Sequence, residues 1–415
     1  MKRPRDYEER ESPTAQRAEP ALGAARHASV DVVRGATGLF MVFGWHLSTL
    51  PSAPAIWKHL HPPNGEGMTI ADAVFPAFLF IVGLAIPLAE AAARAKGAST
   101  SALVRRIARR VATLLFVGVL FVNAQDEATG WPKRAWAALA LASVLCAWHR
   151  APSAGERARR VALALRAAGL LGLGVALVAY RHADGGWLRP GWWGILGIIG
   201  WTYGLGALVS LAARGRRALL VGAVALCLGL YAWTRALGRE GWPSLWGWLD
   251  LGGVFGTHGA VVLVGVLIGS LLAGPTRIER PARQLAWAAV VVVGALAVAV
   301  ALQPHFGVNK LRATPSWGLY SAAAAGVVWL AAAWAIDVRG WRRWAEPLRP
   351  VGENPLFAYL AYQLVVDLLL LSGRTELFTL GHLGPVWAVL TSLGFAGGIL
   401  VLTTLARRFG PWPRL

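Results

Sequence analysis

The chain has 415 residues, 56% hydrophobic and only 15% charged, with a mean hydropathy of +0.50. A soluble globular domain carries about 25% charged residues, so the composition excludes a soluble fold and points to an all-α, polytopic membrane helix bundle. The net charge of +20 would suit nucleic acid, but the distribution of the basic residues along the chain excludes that partner.

In chain order, residues 1–28 are polar, mixed in charge and without an apolar h-region, which reads as a disordered cytosolic tail rather than a signal peptide. Residues 29–408 read as one transmembrane domain and 409–415 as a short cytosolic tail. Apolar runs long enough to cross a hydrocarbon core of about 30 Å fall near 32–50, 70–91, 108–124, 134–149, 161–180, 191–213, 217–235, 257–274, 284–302, 315–336, 356–372 and 385–406. The count is about twelve helices, or eleven if the short fourth run does not span. With both termini cytosolic, the inner segments hold 31 of the Lys and Arg residues and the outer segments 10. That is the bias of the positive-inside rule, and it assigns the basic charge to topology and to anionic lipid. No internal repeat is evident. Cys146 and Cys227 sit in apolar runs as packing residues, so neither a disulfide framework nor a metal site is indicated.

Most of the unusual chemistry falls in the outer loops. The segment from His59 to Pro76, HLHPPNGEGMTIADAVFP, sets two histidines and Asn64 before a helix that opens with Asp72. An imidazole accepts and returns a proton near neutral pH, and a carboxylate fixes its tautomer and stabilises the imidazolium. Asp72 also suits a helix N-terminus as a cap. No GxSxG occurs, and two histidines at i and i+2 with no third ligand nearby make a poor metal site. An acid–base or acyl-carrying histidine fits better. Further outer stretches are 182–194, 241–259 and 305–318, rich in tryptophan. Trp193, Trp246 and Trp317 read equally as an interfacial aromatic belt or as platforms for sugar rings.

Other histidines divide by position. His27, His149 and His182 fall in polar segments and are expected in solvent; His382 has no legible partner. His46 lies within the first span, where a polar group needs a partner or a cavity, and His258 opens the eighth span. Asp31 and Arg34 are spaced to pair at i,i+3. Asp367 lies mid-span with no partner legible in the sequence. On the inner side, Arg105–Arg110 (RRIARR) and Arg339 and Arg342 in DVRGWRRW are phosphate-type clusters that the positive-inside rule also explains. GENP, ending at Asn354-Pro355, reads as a helix N-terminus open to an anion.

Seven segments together resemble the heparan-α-glucosaminide N-acetyltransferase family: SVDVVRG (29–35), GMTIADAVFPAFLFIVGLAIP (67–87), WWGILGIIGWTYG (192–204), FGTHGAVVLVGVLIG (255–269), VNKLRATPSW (308–317), AIDVRGW (335–341) and VGENPLFAY (351–359). The resemblance implies transfer of acetyl from cytosolic acetyl-CoA, a co-substrate, to an amino sugar across the membrane. Thr69, Asp72, Phe75 and Pro76 match the family's Thr-x-x-Asp-x-x-Phe-Pro run. Its active histidine precedes that run as His-x-x-x-Asn-Gly. Counting from Asn64-Gly65 gives Leu60 and counting from Thr69 gives Pro62, so His61 is assigned first and His59 second.

The site expected on these grounds has His61, His59 and Asp72 as catalytic residues. Asn64, His46, His258, Asn309, Lys310 and Trp317 would bind the acceptor, and Arg34, Arg339, Arg342 and Asn354 the donor. The chain is thus read as a multi-pass acyltransferase of a bacterial inner membrane, contacting lipid and a sugar or glycan, with a homodimer left open. The alternatives are a sugar or glycolipid transporter on the same fold, and a structural subunit of an envelope-biosynthesis complex.

Overall fold

The computed structural model describes residues 27–59, 65–125, 132–149, 155–236, 248–374 and 376–407. His61, Asn64 and Trp246, and nearly all of both predicted tails, lie outside them. The described residues are all-helical, without a β-strand. The chain forms α1 (Ala28–Thr49), α2 (Ile70–Ala95), α3 (Thr100–Gln125), α4 (Lys133–Ala147), α5 (Gly155–Ala179), α6 (Gly194–Ala213) and α7 (Arg217–Ala236). There follow α8 (Gly252–Leu272), whose first two turns to His258 are π-helical, α9 (Pro281–Phe306) and α10 (Pro315–Ala333). The short α11 (Arg349–Glu353), α12 (Pro355–Leu371), the four-residue α13 (Glu376–Thr379) and α14 (Pro385–Ala406) complete the chain. The helices α9, α10, α12 and α14 each begin on proline, whose missing N–H is an orphan at that position in any case.

All twelve predicted apolar runs are helical. Among the described residues nine helices are long and apolar enough to cross a membrane, or ten if α11 and α12, bent by 76° at Asn354, form one broken span. The described residues thus support nine or ten of the predicted spans on this measure. At 15 residues, α4 reaches only about 22 Å at 1.5 Å per residue, and α1 is diluted by Asp31, Arg34, His46 and glycines. The chain is a multi-pass membrane protein.

α2 and α8 run through the middle of the bundle, while α5, α7, α9 and α14 turn most of their surface outward. The central pair packs backbone to backbone. A Cβ at Gly83 would overlap the carbonyl oxygen of Val262, and one at Gly265 that of Phe80. Small residues at such a crossing let van der Waals contact replace the hydrophobic drive that lipid does not supply. This packing fixes the start of α2 against the start of α8, where the chemistry lies.

Candidate active site

The site is built at the N-terminal end of α2. Thr69 caps the helix, and Asp72 Oδ2 accepts hydrogen bonds from the Thr69 N–H (3.1 Å) and hydroxyl (3.1 Å). Four residues after Asp72, Pro76 has no N–H to offer the Asp72 carbonyl. The Trp317 indole of α10 donates there instead, at 3.1 Å. Trp317 is buried and locks α10 onto the first turns of α2.

The second oxygen of Asp72 faces the chemistry. His59 Nδ1 lies 2.8 Å from Asp72 Oδ1, and Lys310 Nζ lies 3.5 Å from the same oxygen. Lys310 also sits 2.9 Å from His59 Nδ1 and 3.4 Å from Nε2. Asp72 is 1% exposed, so its charge is sustained by these partners and by the helix start. Nδ1 has room for one proton. Protonated, it donates to Asp72 and leaves Nε2 without a proton; bare, it accepts from the Lys310 ammonium. Burial holds Lys310 below the ordinary lysine range, and the Asp72 carboxylate pulls it back up.

The α9–α10 loop holds Lys310 rigidly. Asn309 Nδ2 donates to the Gly65 carbonyl (2.7 Å), its Oδ1 accepts from the Arg312 N–H (2.8 Å), and Gly67 N–H donates to Val308 (2.8 Å). From α7, the Tyr231 hydroxyl and the Arg235 guanidinium both donate to the Arg312 carbonyl. Ala313, with φ 47°, sits in the left-handed region that costs a non-glycine residue strain. Asn309, expected to hold the acceptor, has its amide engaged in tying this loop to the segment before α2.

His59 and Lys310 open onto a cavity of about 470 Å³ between α1, α2, α6, α8 and the α9–α10 loop. Its walls are aromatic, with Phe75, Trp193, Trp248 and Trp317 among the lining residues. Trp193 begins α6 at φ 68°, a strained conformation, and its indole donates to the Trp248 carbonyl at 3.2 Å. Asp250, unremarked in the sequence, caps the start of α8 through the Gly253 N–H (3.0 Å) and lines the same cavity. A Gly-Gly pair after an acid was its only local signal.

Of the residues expected to bind the acceptor, His258, Lys310 and Trp317 line this cavity with His59. His46 does not. It is buried among Tyr362, Phe378 and Phe395, with Nδ1 3.3 Å from the Tyr362 hydroxyl. Asp367 gains partners the sequence did not reveal, Gln363 at 3.3 Å and Arg134 at 3.6 Å. His149, expected in solvent, is buried at the end of α4. His182 pairs with Asp184 at 3.0 Å. The Gly186 N–H and the Arg189 guanidinium hold Asp184 down to about 2.

The comparisons with known proteins bear on this site. A family described as a domain of unknown function (DUF5009) matches residues 26–187, which include α1 and α2. The chain is also similar to an N-acetyltransferase. Human heparan-alpha-glucosaminide N-acetyltransferase is 35% identical over 98 residues, 24% of this chain and 14% of that protein. The mouse protein of the same name is 34% identical over 100 residues, again 24% and 14%. The matched stretch thus covers about one seventh of these relatives. These matches support the relationship suggested by the sequence motifs.

The residues expected at the donor side do not meet. At the opposite end of α2, Arg34, Arg106 and Arg110 line a cavity of about 440 Å³, with Glu90 on its wall. Glu90 accepts from Ser210 at 2.9 Å and also borders a larger cavity of about 1200 Å³. Arg34 pairs with Asp31 at 2.6 Å, as its spacing predicts, and Arg110 lies 4.4 Å over the Tyr203 ring. Arg342 lines a separate cleft of about 170 Å³, and Arg339 packs over Trp334. Asn354 is buried at the α11–α12 bend.

Proposed function

We propose that this protein is a transmembrane acetyltransferase of a bacterial inner membrane. It takes acetyl from cytosolic acetyl-CoA and passes it to an amine or hydroxyl of a sugar or glycan on the far side. The observation that carries this reading is His59 held 2.8 Å from the buried Asp72 carboxylate at the wall of an aromatic cavity. The arginine-lined cavity at the other end of α2 supports docking of the donor's phosphates, through Arg34, Arg106 and Arg110 rather than Arg339, Arg342 and Asn354. The partial similarity to N-acetyltransferases supports the reaction class.

In this mechanism Nδ1–H of His59 donates to Asp72, and Nε2 takes the proton of the acceptor's N–H or O–H as its nitrogen or oxygen attacks the thioester carbonyl. Asp72 balances the imidazolium. The C–S bond breaks, and the proton passes from His59 to the leaving thiolate, giving the acetylated acceptor and CoA thiol. The Lys310 ammonium stands beside the reacting group, suited to the developing oxyanion. His61 lies in the same loop and keeps its candidacy as base or acetyl carrier.

The test uses purified protein, acetyl-labelled acetyl-CoA and a panel of amino sugars and glycans. Wild-type protein is expected to label an acceptor, with His59→Ala lower by about 10²–10⁴-fold and His59→Ala/His61→Ala inactive. Unchanged transfer by the double variant removes the base from this loop. Two cavities at opposite ends of one bundle also suit a sugar transporter. Uptake that survives in the double variant, with no transfer by the wild type, would favour that reading.

A further inference from the structure

The cavity carries a second imidazole whose chemistry differs from that of His59. His258 closes the π-helical start of α8, and its Nδ1 lies 2.7 Å from the Gly253 carbonyl. A carbonyl only accepts, so Nδ1 carries the proton and Nε2 bears the lone pair. Among the described residues no group hydrogen-bonds Nε2. The ring is 6% exposed and lines the cavity that His59 and Lys310 enter. Phe75 of α2 packs on it at 5.4 Å, and Trp317 meets it edge-on at 5.7 Å. Trp317 also bonds to Asp72, so His258 lies one layer of aromatic rings away from the His59–Asp72 pair.

An imidazole whose ring is buried, whose Nδ1 is engaged and whose Nε2 lone pair opens into a cavity is placed to meet a ligand there. Its position on a π-helical turn, a distortion frequent at functional sites, is a second sign of use. His59 has a carboxylate within hydrogen-bond distance to support a charge, whereas the hydrogen bond of His258 goes to a carbonyl and Asp250 acts on it only from further off. The two rings therefore suit different tasks.

We infer that His258 binds the acceptor directly, its Nε2 accepting a hydrogen bond from an N–H or O–H of the substrate and orienting the nucleophile for His59 to deprotonate. This rests on the acyl-transfer reading of the cavity. A fixed, unprotonated acceptor there selects ligands that present a hydrogen-bond donor at this depth. It discriminates against ethers and tertiary amides of the same shape, which would leave Nε2 unpaired.

The amide nitrogen of an asparagine overlays Nδ1 and keeps the Gly253 bond, while losing Nε2; the amide oxygen of a glutamine reaches the place of Nε2. His258→Asn is therefore expected to keep the wild-type thermal midpoint in detergent and its KM for acetyl-CoA. Its kcat/KM should fall by about tenfold or more, the factor of one lost hydrogen bond, for every acceptor the wild type acetylates. His258→Gln should recover part of that loss. Independently of turnover, diethyl pyrocarbonate, which attacks an imidazole only in its unprotonated form, should label His258 in the native full-length protein, read by peptide mass spectrometry. Unaltered acceptor kinetics in His258→Asn overturns the inference. So does a KM for acetyl-CoA that rises in step with the acceptor's, which marks a structural role, or a His258 left unlabelled while His59 reacts. Absence of transfer by the wild type to every acceptor removes the acyl-transfer reading itself and this inference with it.

Discussion

The two oxygens of the Asp72 carboxylate are divided between the helix and the chemistry. One receives the Thr69 N–H and hydroxyl, the other faces His59 and Lys310. Asparagine at this position keeps an oxygen for the helix start but removes the charge. Since Asp72 raises Lys310 while burial lowers it, Asp72→Asn should lower Lys310 further and enlarge the fraction of neutral amine at any given pH. Acetic anhydride reacts only with the neutral amine. The rate of Lys310 acetylation at pH 8, followed by mass spectrometry, is expected to rise in Asp72→Asn; an unchanged or slower rate would show that Asp72 is not its effective counter-charge. Thr69, Asp72 and Pro76 were legible in the sequence because cap and proline rules act over three or four residues. Their meeting with Lys310 and Trp317 joins residues 238 and 245 positions apart, and no local pattern encodes it. The donor side is less legible for the opposite reason: the positive-inside bias makes basic clusters common, so charge alone does not separate Arg106 and Arg110 from Arg339 and Arg342.

At the scale of elements, α2 and α10 are joined through a defect and its repair. Pro76 leaves the Asp72 carbonyl without its helical donor, and the Trp317 indole supplies one from another helix. Trp317→Phe keeps most of the ring but orphans that carbonyl, at a cost of about 1–3 kcal/mol. Pro76→Ala restores the N–H within α2. The cost of Trp317→Phe should therefore be smaller in the Pro76→Ala background, a positive coupling that a double-mutant cycle of unfolding free energies in mixed micelles would measure. Strict additivity would mean that the indole acts through packing alone. The same logic explains why sequence reasoning recovered the helices but not which of them span. Apolar runs and N1 prolines report that a helix forms; the sequence already marks the fourth run as short, but whether 15-residue α4 reaches across depends on its tilt and packing, which the run does not reveal.

At the scale of the whole molecule, the two cavities lie at opposite ends of the bundle. On α2 the first reaches Val74 and Phe75, and the second begins at Val82. About 10–12 Å of packed helix lies between them at 1.5 Å per residue, so transfer between the ends requires that section to open. Which end faces the cytosol decides whether such an opening is needed at all. On the twelve-span reading, the charge bias leads to the expectation that the α5–α6 loop and the His59 cavity face outward and the α4–α5 and α8–α9 loops inward. Single cysteines at Asp184, Glu156 and Glu279, all with exposed side chains, read this directly once Cys146 and Cys227 are replaced by alanine. In intact bacterial cells treated with a membrane-impermeant maleimide, Asp184→Cys is expected to label, and Glu156→Cys and Glu279→Cys only after lysis. The reverse pattern would set His59 against the cytosol, where acetyl-CoA reaches it without crossing anything. Acyl transfer by His59 could then stand, but transfer across the membrane would not, because donor and base would share one compartment.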